Sequence, residues 1–513
     1  MKEPSLVQAI EATKDHVYFH LSGLEPGIKV HVHESLPFAA EEGTPSGYGA
    51  NPVEELVQTR SGNPIVMMNR FDGNRDRLYS RFYLAVDGTL LKGVRYVTRL
   101  TDLALHHFEY PKPGTIKGLQ VRENFVEDAV KLGVKHACIN LNQGDIMIPG
   151  PEGNYSTWEL DGKTYYFDED YLQRFDKTIK NLSDNDIIVS LILLNSPNWR
   201  RPMHEEMRSI LLHPNYDEEG FISAFNLTND QGLQHFKAFV EFAAHRYSDP
   251  EQKHGRVYGY IVGNEIDSQW VWGNAGEMPI EQYLKEYHLA MRMTFYATRK
   301  FYGHARVYIS LTHLWTISHL DNPLRTYPAR RCLELLNAYA KQEGNFNWSL
   351  AFHPYPEDLR YPDFWNDESA TDSIDSPRIT FKNIEQIVHF MKQEALLFDG
   401  RCRHIILSEQ GFNSHHTDES EAFQAAAYAL AYRKIAACPE IEAFVLHAHI
   451  DNLQEFGLNL GIWRVDDNND PTTPKPIYEV FQKIDGPEGD AVYEAALPFL
   501  TKKMDRGGEK KLF

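Results

Sequence analysis

Cysteine is scarce in this 513-residue chain: Cys138, Cys332, Cys402 and Cys438 lie far apart and lack metal-ligand spacing. That excludes a disulfide framework or a cysteine-built zinc site and leaves buried free thiols. No apolar run approaches the roughly 18 residues a membrane helix needs, and Met1-Lys2-Glu3-Pro4-Ser5 has no signal-peptide core. A cytoplasmic protein is therefore expected from the sequence as written, or a secreted or periplasmic one if a signal peptide preceded it. Positive charge is also short. The net charge of −20 is spread along the chain and argues against nucleic acid or an anionic membrane as partner. No low-complexity tract or solenoid repeat occurs. Aromatic and aliphatic residues are ample for a core, so disorder is excluded.

The chain is too long for one small domain and fits a parallel α/β barrel of about 250 residues or more with insertions, plus an accessory domain. Residues 1–112 read as β-rich and sandwich-like. Runs at 17–21, 29–33, 78–86 and 94–97 are separated by turn signals such as Gly-Leu-Glu-Pro-Gly and Asp87-Gly88. Pro111-Lys112-Pro113-Gly114 marks the boundary. Over 113–487 eight apolar strands alternate with helices, the pattern of a (β/α)8 TIM barrel. The strands are expected at 117–121, 136–141, 186–194, 255–265, 306–313, 348–355, 404–409 and 442–447. Asp418 and Glu421 read as a capping box for the seventh helix. Residues 488–513 form a tail that either packs back on the barrel or, at its Lys/Arg/Gly-rich end, is solvated.

Chemistry concentrates at two strand tips. The fourth strand ends on Gly263-Asn264-Glu265 and the seventh on Ser408-Glu409. Both carboxylates project from the C-terminal rim, where such barrels keep their active sites. Two carboxylates facing across a sugar at about 5–5.5 Å are what a retaining glycosidase requires, one donating a proton and the other attacking the anomeric carbon.

Gly263-Asn264-Glu265 and Ser408-Glu409-Gln410-Gly411, with His353-Pro354-Tyr355 between them, resemble the clan A retaining glycoside hydrolases over about residues 115–485. The Gly-Asn-Glu-Ile-Asp-Ser-Gln-Trp-Val-Trp stretch also resembles an uncharacterised-domain family of that barrel superfamily. The resemblance implies that Glu265 is the acid/base and Glu409 the nucleophile. It also implies that Asn264 holds the sugar 2-hydroxyl, while His353 and Tyr355 serve the site and Tyr355 bonds the nucleophile. No metal or organic cofactor is implied. The departure lies on the eighth strand, where many members place a Trp and this chain has His447, His449 and Asp451.

Trp270, Trp272, Trp315 and Trp365 fall in loops after strand tips and are candidate sugar platforms; each is equally suited to packing its own loop. Asn195 and Trp199 share that ambiguity. His313, His353, His447 and His449 allow a rival reading, a metal-dependent barrel hydrolase, although the first strand carries no His-x-His and the two Glu residues would then lack a role. Otherwise these histidines bond sugar hydroxyls or orient the carboxylates. The expected function is hydrolysis of a β-linked glycoside in an oligo- or polysaccharide by double displacement. A non-catalytic carbohydrate-binding barrel is a further alternative. The expected partner is a carbohydrate, and homo-oligomerisation is left open. Long insertions after the second, third and sixth strands are expected to wall the site.

Overall fold

The computed structural model describes residues 6–38, 53–60 and 62–506. Eight parallel strands close into a barrel: β1 (Lys117–Leu119), β2 (His136–Asn142), β3 (Ile188–Leu194), β4 (Gly259–Val262), β5 (Arg306–Thr312), β6 (Trp348–His353), β7 (Ile405–Gln410) and β8 (Ile441–Leu446). Gly118 opposite Val445 joins β1 to β8. The main helices are α1 (Val126–Lys131), α2 (Glu169–Ser183), α3 (Asp230–Arg246), α4 (Ile280–Phe301), α5 (Ala329–Glu343), α6 (Glu385–Met391), α7 (Asp418–Ala436) and α8 (Pro476–Lys483).

The strands read as continuous apolar runs because both faces are covered. One face meets the helices. The other fills the barrel with Cys138, Ile192, Ile261, Tyr308, Ala351, Ile406, Ala443 and Val445. Tyr308 is the bulkiest of these and is accommodated by a glycine. A Cβ on Gly259 would lie 2.5 Å from Ser190 Oγ and 3.0 Å from the Tyr308 ring. All four cysteines are free thiols, and Cys138 and Cys332 are buried. No described helix is long and apolar enough to cross a membrane.

The N-terminal residues form two sheets. One contains Leu6–Ala12, His16–Ser22, Asn63–Asn69 and Gln58–Arg60; the other contains Lys29–Ser35, Val53–Leu56, Arg81–Val86 and Thr89–Leu90. Phe19 and Phe82 meet edge-on at 5.1 Å between them. Their apolar core is continuous with that around the barrel, and the buried Arg81–Glu343 ion pair ties the second sheet to α5. Val94–Val97, expected as a strand, is not one. Its Arg95 and Tyr96 N–H groups donate to Glu343 O, so the segment docks on the end of α5.

Two further expectations are corrected. The cap of α7 is Thr417 with Ser420, not Asp418 with Glu421, because Thr417 supplies the hydroxyl that accepts from the Ser420 N–H. The insertion after β2, a hairpin of Tyr155–Leu160 and Lys163–Asp168, does not wall the mouth. Trp158 packs against Phe301 near the end of α4, and Asp161 accepts from the Asp76 N–H beside the N-terminal sheets. The tail packs back through Gly489–Ala496, with Phe423 against Phe499 and Trp365 Nε1 donating to Lys502 O. Its Lys/Gly-rich end, 507–513, lies outside the described residues, as do Met1–Ser5.

Candidate active site

The chain leaves β4 through a tight left-handed turn. Gly263 has φ +75° and Glu265 φ +40°. A non-glycine residue in this region costs about 1–2 kcal/mol, so the turn needs support. Ser310 Oγ, on β5, accepts the Glu265 N–H at 2.9 Å. Asp267, two residues on and buried, accepts from Thr312 N at 3.0 Å and from Thr312 Oγ1. The β4 loop is thus fastened to β5 on both sides of the Glu265 side chain.

Glu265 and Glu409 face each other across the mouth. One oxygen of each, together with a His353 ring nitrogen, lies within 4.8 Å of the others. His353 Nδ1 is 2.9 Å from Glu265 Oε1, and its Nε2 is 2.9 Å from Ser408 Oγ. Burial holds the His353 imidazole below its ordinary value, so the ring is neutral. A neutral ring donates from one nitrogen and accepts at the other: Nδ1–H donates to an ionised Glu265 while the Ser408 hydroxyl donates to Nε2, or a protonated Glu265 donates to Nδ1 while Nε2–H donates to Ser408 Oγ. Burial pushes the Glu265 carboxyl up to about 7, although the His447 charge opposes the shift.

Glu409 has different neighbours. Tyr355 OH donates to its Oε1 at 3.3 Å and Gln120 Nε2 to its Oε2 at 3.2 Å. Gln120 Oε1 in turn meets His447 Nδ1, and His447 Nε2 is 3.2 Å from Glu455 Oε1. Beside this chain opens a cavity of about 340 Å³, lined among others by Arg122, Asn140, Arg200, Asn452 and Gln454. One carboxyl therefore sits beside a neutral imidazole, and the other beside donors. Such a pair can deliver a proton from one side of a substrate and a nucleophile from the other.

Of the sequence-based candidates, Glu265, Glu409, His353, Tyr355 and His447 converge. Asn264 is adjacent, and its buried Oδ1 has no partner among the described residues. His313, at the tip of β5, also has an unpartnered Nε2; burial first, then Arg378 and His319, push it down to about 3, so it is neutral. Trp272 sits on the rim and packs on the barrel-interior cluster with Trp199. With Phe221 and Phe456 these rings form a row, at 5.7 Å (Trp199–Phe221), 5.6 Å (Phe221–Trp272) and 6.5 Å (Trp272–Phe456).

The remaining candidates are occupied elsewhere. Asn195 Nδ2 donates to Leu211 O and Ala224 O and clamps the loop after β3. Trp270 is buried under the Arg325 guanidinium, 3.6 Å from the ring centroid. Trp315 is fully buried and donates to Ile374 O. His449 stacks on Phe125 and bonds Asp128 at 3.0 Å. The four rim histidines therefore do not converge on a common point. Among the described residues the one grouping with metal-ligand spacing is Glu265, His353 and Glu409, and both His353 nitrogens already have partners there. Gln120, Ser408, Asp267 and Glu455 were not foreseen as site residues. Gln120 follows the weakest strand and Glu455 lies in a loop, whereas Asp267 and Ser408 sit inside the two quoted motifs, Glu-Ile-Asp and Ser-Glu.

The model of a family of unknown function, DUF5722, matches residues 109–505. Among solved structures, a hyperthermophilic β-glucosidase from Pyrococcus furiosus is similar at 14% identity, covering 74% of this chain and 87% of that one, with a TM-score of 0.50. A family 39 glycoside hydrolase from the gut symbiont Bacteroides cellulosilyticus WH2 aligns at 13% identity over 95% of this chain and 83% of its own, TM-score 0.44. A family 1 β-glucosidase from Thermotoga maritima aligns at 13% over 70% and 85%, TM-score 0.43. At such identities the likeness concerns the fold. No curated protein matches the chain.

Proposed function

The chain belongs to the family of unknown function DUF5722, and we propose that it is a retaining glycoside hydrolase acting on a β-linked oligo- or polysaccharide. The observation that carries this reading is the placement of Glu265 and Glu409 oxygens within 4.8 Å of each other at the barrel mouth. That close approach of the two carboxylates suits direct attack by one of them, as in retaining enzymes, whose carboxyl groups stand about 5–5.5 Å apart.

In the first step a Glu409 oxygen bonds to the anomeric carbon as the bond to the leaving oxygen breaks, and Glu265 gives that oxygen its proton. In the second, water attacks the anomeric carbon, passes a proton to Glu265 and frees the Glu409 carboxylate. The raised Glu265 carboxyl supports its role as acid. Tyr355 and Gln120 orient Glu409, and the free Asn264 Oδ1 is a ready acceptor for a sugar hydroxyl. The row of Trp199, Phe221, Trp272 and Phe456 suits the C–H faces of further sugar units. The boundary at 112/113 and the barrel span 113–487 belong to the same proposal.

The test is a panel of aryl β-glycosides of varied sugar configuration, with proton NMR of the first-formed anomer. Retention supports the reading. Inversion, or binding without turnover across the panel, would replace it with an inverting hydrolase or a carbohydrate-binding barrel.

A further inference from the structure

Glu455, His447, Gln120 and Glu409 form an unbroken hydrogen-bonded chain from the loop after β8 to the tip of β7. Its two ends are carboxylates, which when ionised only accept. Gln120 must therefore turn its NH2 group toward Glu409, which leaves its carbonyl for His447. A ring held between a carbonyl and a carboxylate must donate from both nitrogens, and only the imidazolium does so. The partners thus fix both the charge of His447 and the orientation of the Gln120 amide.

We propose that His447 is a positioning residue. As a fixed cation it locks the Gln120 amide with its N–H on Glu409 Oε2, orienting and charge-compensating that carboxylate for attack. This rests on the reading of Glu409 as nucleophile. The groups facing His447 are Glu455 from its own loop, Glu409 from β7, Glu265 from the turn after β4, His353 from β6 and the neutral Gln120 from the loop after β1. Burial opposes the charge, but Glu455, Glu409 and Glu265 together outweigh it and raise the ring to about 9. Loss of the Nδ1 proton would set a lone pair against the Gln120 carbonyl. The amide would then flip and turn that carbonyl on Glu409, where two acceptors repel.

The test has two arms. In the first, protein selectively 15N-labelled at histidine is observed by NMR, with His447 assigned by its loss in His447→Gln. Both ring nitrogens should be protonated at pH 7.5, with a midpoint near 9. Glu455→Gln should lower that midpoint by roughly one unit or more. A neutral His447 ring at pH 7.5 would overturn the proposal. This arm needs no turnover, so it separates failure of the chain from failure of the glycosidase reading. In the second arm, single-turnover formation of the glycosyl-enzyme is followed with the 2,4-dinitrophenyl glycoside of the sugar hydrolysed fastest in the panel, a leaving group that needs no acid. The wild-type rate should fall with a midpoint near 9. Gln120→Leu should slow the step by roughly 10²-fold with KM little changed, and should abolish that limb. A limb that persists unchanged in Gln120→Leu contradicts the proposal, because a purely structural Gln120 would leave the pH profile intact.

Discussion

His353 Nδ1 lies 2.9 Å from Glu265 Oε1, and this contact separates the two carboxyl groups of the site chemically. A neutral, buried imidazole lends Glu265 no positive charge, so burial dominates and the carboxyl keeps its proton to about pH 7. Glu409, a few ångströms away, faces the hydroxyl of Tyr355 and the amide of Gln120 instead.

The first expectation is a pH dependence. Glu265 works as an acid while protonated, so kcat/KM should decline as pH rises through about 7. Glu265→Gln should remove that limb and slow hydrolysis of substrates with poor leaving groups by about 10²–10⁴-fold. A stopped assay across pH 5–9, in steps of roughly half a unit, checks both.

Asp267 provides a second test. Asp267→Ala releases the β4 loop from Thr312 and should cost about 10²-fold in kcat through misplacement of Glu265. Burial raises the Asp267 carboxyl to about 7, with the Thr312 hydrogen bonds opposing the shift. The folded state thus binds a proton that the unfolded chain releases between about pH 4 and 7, so stability is lost as pH rises through that window. Calorimetry should show Tm falling over it, and falling less in Asp267→Asn.

The aromatic row makes a third prediction. Trp272→Ala should raise KM for longer oligosaccharides about fivefold, corresponding to ~1 kcal/mol of lost stacking. Turnover of a short aryl glycoside should hardly change. Equal effects on both substrates would place Trp272 in the loop packing alone.

A fourth concerns metal. Exhaustive treatment with chelator should leave turnover intact, because His313 and His449 stand apart from His353 and the His447 nitrogens are taken by Gln120 and Glu455. Loss of activity with recovery on added zinc would instead make Glu265, His353 and Glu409 a metal site.

The barrel was legible because its strands are buried on both faces, and each of the eight apolar runs became a strand at or within a few residues of its expected place. The carboxylate pair was legible because strand tips stand out where an apolar run stops on a charge. What stayed hidden depends on packing between distant segments. Gln120 lies 289 residues from Glu409 and follows the shortest strand, so nothing local marks it. Trp270 and Trp315 occur at loop positions that suit a sugar platform, and only the structure shows Arg325 over the one and the core around the other. Val94–Val97 has strand-forming residues, but the N–H groups of Arg95 and Tyr96 are taken by the end of α5.

The central claim is that Glu409 attacks the anomeric carbon. The most direct measurement is product analysis by NMR with Glu409→Gly, supplied with the aryl β-glycoside that the wild type hydrolyses fastest and with sodium azide. The account predicts loss of hydrolysis without azide, and partial rescue with azide giving a glycosyl azide of inverted configuration. Wild-type turnover by Glu409→Gly without azide would contradict it.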